Sequence, residues 1–219
     1  VKMPKIREKA IIRMEANEVA DYLDNVEFGS KLTARQQKFH EKSATRDLAI
    51  MTLMLSTGIR VSELVGLNIN DVDFENDRIK VTRKGGNEAF VFFSDEAEAY
   101  LKDYLKERTK VVTKEGHENA LFLSSQNRRI SVRAMENLVK KYAQITTPLK
   151  HITPHKLRST YGTELYQETG DIYLVADVLG HKDVNTTKKH YAAMDEQKKR
   201  AARNIVTLRE DLKNKSDQS

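Results

Sequence analysis

The residues of this sequence that could do chemistry are mostly cations and imidazoles. His155 and Arg158 are three positions apart, so on a helix both side chains can address one point. Arg60 comes just after a predicted helix end, and Lys84 lies at the tip of a predicted hairpin, where a long cation can swing toward a ligand. Cationic side chains and imidazoles in such positions suit an anionic ligand. The remaining candidates are His181 and Tyr191.

Each of these residues also has an ordinary structural explanation. Arg60 could bond the last carbonyls of the preceding helix, and Lys84 could simply keep a turn soluble. His155 and Arg158 could be ordinary solvent-exposed side chains at the edge of the buried face of their helix. His181 could stabilise a helix C-terminus, and a tyrosine such as Tyr191 is by default half-buried with its hydroxyl outward. Taken one at a time, the residues therefore do not define a site.

The elements that would position these side chains are mainly helices with one small sheet. Leu48, Met51 and Leu55 recur at helical spacing, and Gly58 predicts the end of that helix, so we expect it to cover 44–57. Two β-prone runs at 78–82 and 88–93 flank Gly85-Gly86, which predicts a hairpin. Further helices are predicted at 61–67, 95–108, 132–143, 154–168, 172–179 and about 185–193.

Length, composition and charge restrict the class of protein. The 219 residues allow one large domain, and 39% hydrophobic with 32% charged residues is typical of a folded protein. The absence of cysteine excludes disulfides and cysteine-zinc sites, and no run approaches the ~20 apolar residues of a membrane span. We therefore expect a cytoplasmic protein. The net charge of +6 is compatible with a polyanionic partner but does not require one.

The order and spacing of the candidates resemble the tyrosine recombinase (phage integrase) family. The resemblance runs from Gly58-Ile59-Arg60-Val61-Ser62-Glu63-Leu64, through Lys84 in a β-turn and His155-Lys156-Leu157-Arg158, to Leu179-Gly180-His181 and Tyr191. It covers about Thr45 to Met194, and it looks most like Xer-type recombinases and the integrases of conjugative transposons. The implied fold is that family's catalytic domain, mainly α with a small antiparallel sheet (α+β).

The resemblance implies a specific reaction. Tyr191 would attack a DNA phosphodiester in line, giving a 3′-phosphotyrosine and a free 5′-hydroxyl, and attack by another strand's 5′-hydroxyl would reverse the step. Because bond energy is kept, no ATP is needed. Arg60 and Arg158 would bind the non-bridging oxygens as their negative charge grows in the transition state. The implied function is site-specific recombination, serving the integration and excision of a mobile element.

The same resemblance gives roles to the other residues. His155 would be the base or a phosphate donor, and Lys84 the general acid for the leaving 5′-oxygen. His181 would donate a hydrogen bond to the phosphate, and Glu63 would orient the arginine and histidine side chains. Relatives more often place the tyrosine one residue closer to the histidine than the ten residues that separate His181 from Tyr191.

Neither a metal nor another cofactor is expected, because these cations would surround the phosphate. Asp71 and Asp73 are interpreted as loop residues and not as metal ligands. Double-stranded DNA is the expected partner, and other basic residues are candidates for contacts to its backbone, with surface solvation as the alternative. These candidates are Arg35, Lys38, Lys42, Arg46, Arg83, Arg128, Arg129, Arg133, Lys140 and Lys141.

We interpret residues 1–193 as the catalytic domain and 194–219 as a helical tail. The family's N-terminal core-binding domain does not fit before Thr45, so we expect a fragment that binds DNA weakly. In the tail, Ala201, Ile205, Leu208 and Leu212 form a narrow apolar seam. This seam could pack on its own domain or, as the family suggests, on a neighbouring protomer of a DNA-bound tetramer. The family also suggests accessory DNA-bending proteins as partners.

Two other functions compete with recombination. A type IB topoisomerase-like enzyme would use the same chemical groups to relax DNA, and the compact motifs of this chain argue against it. A non-catalytic DNA-binding regulator could keep the fold, but it has no physical need for all six candidate residues. The target DNA sequence does not follow from one chain.

Overall fold

The computed structural model describes residues 12–83 and 85–202. Side chains are described for these residues except at 192, 193, 195–198, 200 and 201. The chain divides into two compact units, with the boundary between Gly170 and Asp171. Lys84 and most of the predicted apolar seam lie outside the described residues.

The first unit is a set of helices around a small sheet. Three of its helices begin at residues that cap them: the hydroxyls of Ser94, Ser131 and Thr153 accept hydrogen bonds from backbone amides of the first turn. The described helices of this unit are α1 (Ala16–Phe28), α2 (Ala34–His40), α3 (Ala44–Thr57), α4 (Val61–Gly66), α5 (Asp95–Arg108), α6 (Val132–Thr146) and α7 (Pro154–Thr169).

Helix α3 is the centre of the hydrophobic core. Every side chain from Asp47 to Met54 is buried, because α1, α5 and α7 all pack against this helix. The chain must turn away sharply where this buried helix ends. Gly58 allows the turn because it adopts the left-handed conformation, with φ of 63°. The predicted helix 44–57 and its glycine stop are confirmed. The exit places Arg60 immediately before α4.

The sheet is a three-stranded antiparallel meander. Strand β1 (Val72–Asp73) pairs with β2 (Arg78–Thr82), which pairs with β3 (Glu88–Phe92). Ile79 and Val81 alternate with more exposed residues, so one face of the sheet covers the core. The predicted class, mainly α with a small antiparallel sheet, is therefore confirmed.

Two helices precede the first element that the sequence pattern predicted. In α1, Tyr22 and Val26 are buried in the same core as α3. A capping box of Thr33 and Gln36 begins α2. These two helices, for which the sequence analysis predicted no element, are thus part of the first unit.

The second unit begins with α8 (Ile172–Leu179) and continues with α9 (Val184–Ala202). The carboxylate of Asp171 caps α8, and Gly180 ends it with φ of 64°. Helix α9 was predicted to stop near residue 193 but continues to Ala202, because no glycine or proline interrupts the sequence there. The predicted boundary between domain and tail at 193/194 falls inside this helix. None of the helices within the described ranges is long and apolar enough to cross a membrane.

Candidate active site

Arg60 and Glu63 are brought together by the turn between α3 and α4. Arg60 stands at the N-terminus of α4, and its backbone N–H donates to Glu63 Oε2 at 3.1 Å. Its guanidinium donates to Glu63 Oε1 at 2.8 Å. Glu63 is buried, whereas the Arg60 side chain is about one-third exposed. The carboxylate therefore fixes both the backbone and the head group of Arg60.

Arg158 connects α7 to the same turn. Its side chain is buried, and one terminal guanidinium nitrogen donates to the Gly58 carbonyl at 2.6 Å. Gly58 is two residues before Arg60 in the chain. This contact, between residues 100 positions apart in the sequence, ties the two predicted arginine motifs to one backbone turn. We call Gly58, Arg60, Glu63 and Arg158 the arginine cluster.

His155 lies one turn before Arg158, at the start of α7. Its side chain is exposed, but neighbouring atoms remove part of its water, and this lowers the pKa of the imidazole. The positive charges of Lys156 and Arg158 lower this pKa further. His155 consequently stays neutral to a more acidic pH than an ordinary histidine, and a neutral imidazole can accept a proton.

A cavity of about 500 Å³ lies beside His155. Val61, the residue after Arg60, lines the same cavity, which places this space next to the arginine cluster. Three further basic residues line it: Arg133, Lys140 and His151. Glu136 also lines the cavity and pairs with Arg133, so Lys140 is the lysine or arginine of the lining whose charge Glu136 does not offset. An anion could enter this recess beside Lys140.

Arg83 joins the carboxylate of Glu63 from the sheet side. Its Nε lies 3.9 Å from Glu63 Oε1, so two guanidiniums face one buried carboxylate oxygen. This Nε is buried and has no hydrogen-bond partner in the described part of the chain. Arg83 directly precedes Lys84 and was predicted as a DNA contact. Its position links the β2–β3 hairpin to the arginine cluster, and the DNA contact stays a prediction.

In the second unit, His181 is held by both neighbouring helices. Its backbone N–H donates to the Ala176 carbonyl at the end of α8. Its Nδ1 lies 2.6 Å from Oγ1 of Thr187 in the first turn of α9, and Thr187 is fully buried. His181 itself is partly exposed. We call residues 181–191 the tyrosine segment.

Tyr191 is buried in α9, with 1% of its surface exposed. The ring of His190 meets the Tyr191 ring edge-on, with the ring centres 4.8 Å apart. The half-buried position with an outward hydroxyl, which is the default for a tyrosine, is therefore not what the structure shows. A buried tyrosine must become accessible before it can attack a substrate in solution.

A match to a protein-family model agrees with the order of the motifs. The model of the phage integrase family matches residues 13–198. The chain belongs to the phage integrase family. The match begins well before Thr45 and includes α1 and α2, so the family resemblance extends further than the motifs alone indicated.

Curated relatives of the family include Xer recombinases. Tyrosine recombinase XerS of Streptococcus thermophilus is 36% identical over 203 residues, which cover 91% of this chain and 56% of that protein. XerS of Streptococcus uberis is 36% identical over 90% of this chain and 55% of its own length. The chain thus spans about half the length of the curated relatives that it matches.

Solved structures show the same integrase fold. A crystal structure of XerA recombinase has a TM-score of 0.71 and 26% identity, covering 92% of this chain and 66% of that one. XerH recombinase, bound to a palindromic difH substrate, has a TM-score of 0.72 over 90% of this chain and 54% of its own. At 23% identity the XerH likeness concerns the fold alone.

The other basic residues of this integrase-family domain fall into two groups. Arg129 donates to the carbonyls of Val65 and Leu67, and Arg46 donates to the Leu123 carbonyl while pairing with Asp47. These two arginines hold loops and helix ends together, and Lys141 also lies against Asp47, at 3.9 Å. Side chains exposed on the surface, where a backbone phosphate could reach them, are Arg35, Lys38, Lys42, Arg128, Arg133 and Lys140.

Three features of the site were not found from the sequence. The carbonyl of Gly58 as a partner of Arg158 is a tertiary contact with no local signal. The pairing of Arg83 with Glu63 likewise depends on how the hairpin packs. Thr187 could have been found, since a threonine in the turn after Leu179-Gly180-His181 is close in sequence to the histidine.

Proposed function

We propose that this chain cleaves and rejoins DNA through a covalent phosphotyrosine, as the catalytic part of a site-specific recombinase. The observation that carries the proposal is the arginine cluster, in which Arg158 and Arg60 are fixed to one turn beside a basic cavity. Family membership supports the reaction, as do related proteins solved with DNA: XerH bound to difH substrate and Tn1549 integrase in complex with circular intermediate DNA.

In the proposed reaction the Tyr191 oxygen attacks the phosphorus and displaces the 5′-oxygen of the next nucleotide. The tyrosine loses its proton and the leaving oxygen gains one, so the step needs a base and an acid. His155 suits the base, because its lowered pKa keeps the imidazole neutral near pH 7. Lys84 suits the acid by its place in the family motif. The reverse step, attack by a 5′-hydroxyl on the phosphotyrosine, restores the tyrosine.

Charge stabilisation falls to the two arginines and His181. Negative charge grows on the non-bridging oxygens in the transition state, and guanidiniums present planar pairs of donors to such oxygens. The contact with Gly58 is made by one terminal nitrogen of Arg158, and it anchors this guanidinium beside the turn that carries Arg60. Glu63 orients Arg60 and counters the positive charge that Arg60 and Arg83 bring together.

The physiological outcome that we propose is integration and excision of a mobile element, with four copies of the chain on DNA. The likeness to Tn1549 integrase and the family's mode of action support this assignment. Residues 194–219 would dock on a neighbouring protomer. Truncation after Met194 tests the docking: the proposal predicts fewer protomers per DNA molecule by light scattering, and unchanged assembly contradicts it.

A covalent-trapping experiment tests the chemistry. The 219-residue chain is incubated with labelled, nicked duplex DNA of randomised sequence at concentrations that saturate binding by fluorescence anisotropy. The nick lets the 5′-hydroxyl fragment diffuse away, so cleavage leaves DNA attached to protein after denaturation. We expect a protein–DNA band that disappears in Tyr191→Phe and persists in Tyr173→Phe, whose tyrosine is exposed. If DNA binding is saturated and no band forms, the chain lacks the proposed activity.

A further inference from the structure

Thr187 is a buried residue whose hydroxyl contacts the ring of a candidate site residue, His181, although the sequence analysis gave Thr187 no role. Its hydroxyl lies 2.6 Å from Nδ1 of His181, and the residue has no solvent exposure. No water can therefore replace the hydroxyl without a change of packing. His181 follows Gly180, and its backbone is already fixed by the bond from its N–H to the Ala176 carbonyl. The Thr187 hydroxyl contacts Nδ1 of the His181 ring, and the state of this nitrogen bears on both the orientation and the protonation of the ring.

A neutral imidazole has one N–H donor and one acceptor nitrogen, so the partner of Nδ1 decides what Nε2 can do. If Nδ1 carried the proton and donated to Thr187, Nε2 would be an acceptor. An acceptor cannot hydrogen-bond to a phosphate oxygen, which is itself an acceptor. If the Thr187 hydroxyl donates to Nδ1, the proton is on Nε2, and His181 presents a donor. The second arrangement is the one that phosphate binding requires.

We propose that Thr187 is a positioning residue whose hydroxyl donates to Nδ1 of His181, fixes the ring, and keeps Nε2 protonated as a donor for the phosphate that the enzyme cleaves. This inference rests on the proposed function for the identity of the acceptor, but the state of the ring does not depend on it. Threonine suits the task because its branched side chain has few rotamers in a helix. A valine at this position would have the same shape without the donor, and a serine would keep the donor with more freedom.

Direct observation of the ring tests the positioning without DNA. In the full chain labelled with ¹⁵N-histidine, two-bond correlation spectra report the protonation of each ring nitrogen, and His181→Asn identifies the signals. We expect wild-type His181 to be neutral with the proton on Nε2 at about pH 8, above the ordinary imidazole pKa. Thr187→Val should shift the Nδ1 resonance and broaden or mix the tautomers, whereas Thr187→Ser should resemble wild type. The matched control is Thr186→Val, the same substitution at the exposed neighbouring threonine.

Strand cleavage of the nicked substrate tests the consequence. At saturating DNA, we expect Thr187→Val to lower the cleavage rate about tenfold, the scale of one hydrogen bond to a charged group, with unchanged DNA affinity. Thr187→Ser should restore most of the rate, and Thr186→Val should have no effect. In a His181→Asn background, Thr187→Val should cause no further loss, because the two residues act through one contact. A purely structural role would instead lower the rate in both backgrounds.

The two experiments separate the failure of this inference from failure of the proposed function. An unchanged His181 spectrum in Thr187→Val overturns the positioning role, whatever the chain does to DNA. A changed spectrum with an unchanged cleavage rate overturns the link to catalysis and leaves the recombinase assignment standing. If wild-type protein forms no adduct on saturated DNA, the proposed function fails, and the spectra alone then decide whether Thr187 sets the ring.

Discussion

Arg158 contacts a carbonyl 100 residues away in the sequence, whereas His181 is oriented by a threonine six residues away. The arginine cluster joins α3, α4 and α7 through buried contacts and so depends on the whole first unit. In the tyrosine segment, the contacts of His181 with Thr187 and of His190 with Tyr191 lie within 11 residues. The proposed phosphate site in the first unit therefore depends on tertiary structure, whereas the contact of His181 with Thr187 forms within a short segment.

Of the substitutions considered, Arg158→Lys, which disrupts the long-range contact with Gly58, is expected to change the strand-cleavage rate most. A lysine ammonium is a point charge that cannot hold the Gly58 carbonyl and present a planar fork to a phosphate together. We expect the strand-cleavage rate to fall about a hundredfold or more, as for other donors to a transition-state oxyanion. Arg128→Lys, at an exposed arginine, is the control. If Arg158→Lys retained the wild-type rate, the arginine cluster would have no part in the chemistry.

Glu63→Gln should weaken the same cluster less. Glutamine keeps an oxygen for the Arg60 backbone N–H but removes the negative charge that Arg60 and Arg83 share. We expect about a tenfold slower cleavage, on the scale of a hydrogen bond between charged groups. Glu136→Gln, which breaks the exposed pair with Arg133, should leave the rate unchanged. A larger loss in Glu136→Gln than in Glu63→Gln would contradict this account of the buried carboxylate.

Arg128 and Arg129 are adjacent in the sequence, but Arg128 is exposed whereas Arg129 donates to backbone carbonyls, so substituting each one separates an effect on DNA binding from an effect on stability. Arg129→Ala removes the guanidinium that donates to the carbonyls of Val65 and Leu67, and only the Leu67 carbonyl keeps a backbone donor, the N–H of Leu121. We therefore expect a loss of about 1–3 kcal/mol in unfolding free energy. Arg128→Ala should leave the melting temperature unchanged and weaken DNA binding at low salt, since its side chain is exposed. Calorimetry and anisotropy titrations measure the two quantities. Equal melting temperatures for the two variants would show that the Arg129 contacts contribute nothing.

The smallest expected effect is on the protonation of His155. Lys156 is one of the charges that lower the pKa of this imidazole, so Lys156→Gln removes a charge that disfavours the protonated form. The pKa of His155 should therefore rise in Lys156→Gln, and the acidic limb of the cleavage-against-pH profile should move to higher pH. An NMR titration of the His155 ring measures the shift. A fall in this pKa would contradict the assigned cause.

The sequence was sufficient where structure is local and insufficient where it is tertiary. Helix α7 was predicted almost to the residue, because Thr153, Pro154 and Gly170 mark its ends. The starts and stops around Gly58 and Gly180 were predicted for the same reason. Helices α1 and α2 were missed although Thr33 and Gln36 form a capping box, since the motifs that carried the resemblance begin only after them.

In the candidate site too, the sequence was informative about local features and uninformative about tertiary contacts. Motif order predicts the arginines, histidines and tyrosine as site residues, since those residues are read directly from the chain. Their partners could not be identified in this way: no pattern in residues 58 or 83 shows that one carbonyl binds Arg158 or that Arg83 lies 3.9 Å from Glu63. The burial of Tyr191 was also beyond the sequence, because the default for tyrosine is half-exposed.

The central claim, that Tyr191 forms the covalent link to DNA, is tested most directly by locating the link. The trapped complex from the nicked substrate is digested with trypsin and nuclease, and the modified peptide is identified by mass spectrometry. Cleavage after Lys189 and Lys198 isolates Tyr191 in a nine-residue peptide that contains no other tyrosine. The account predicts a nucleotide phosphate on this peptide and on Tyr191. A nucleotide on any other residue of the chain would contradict it.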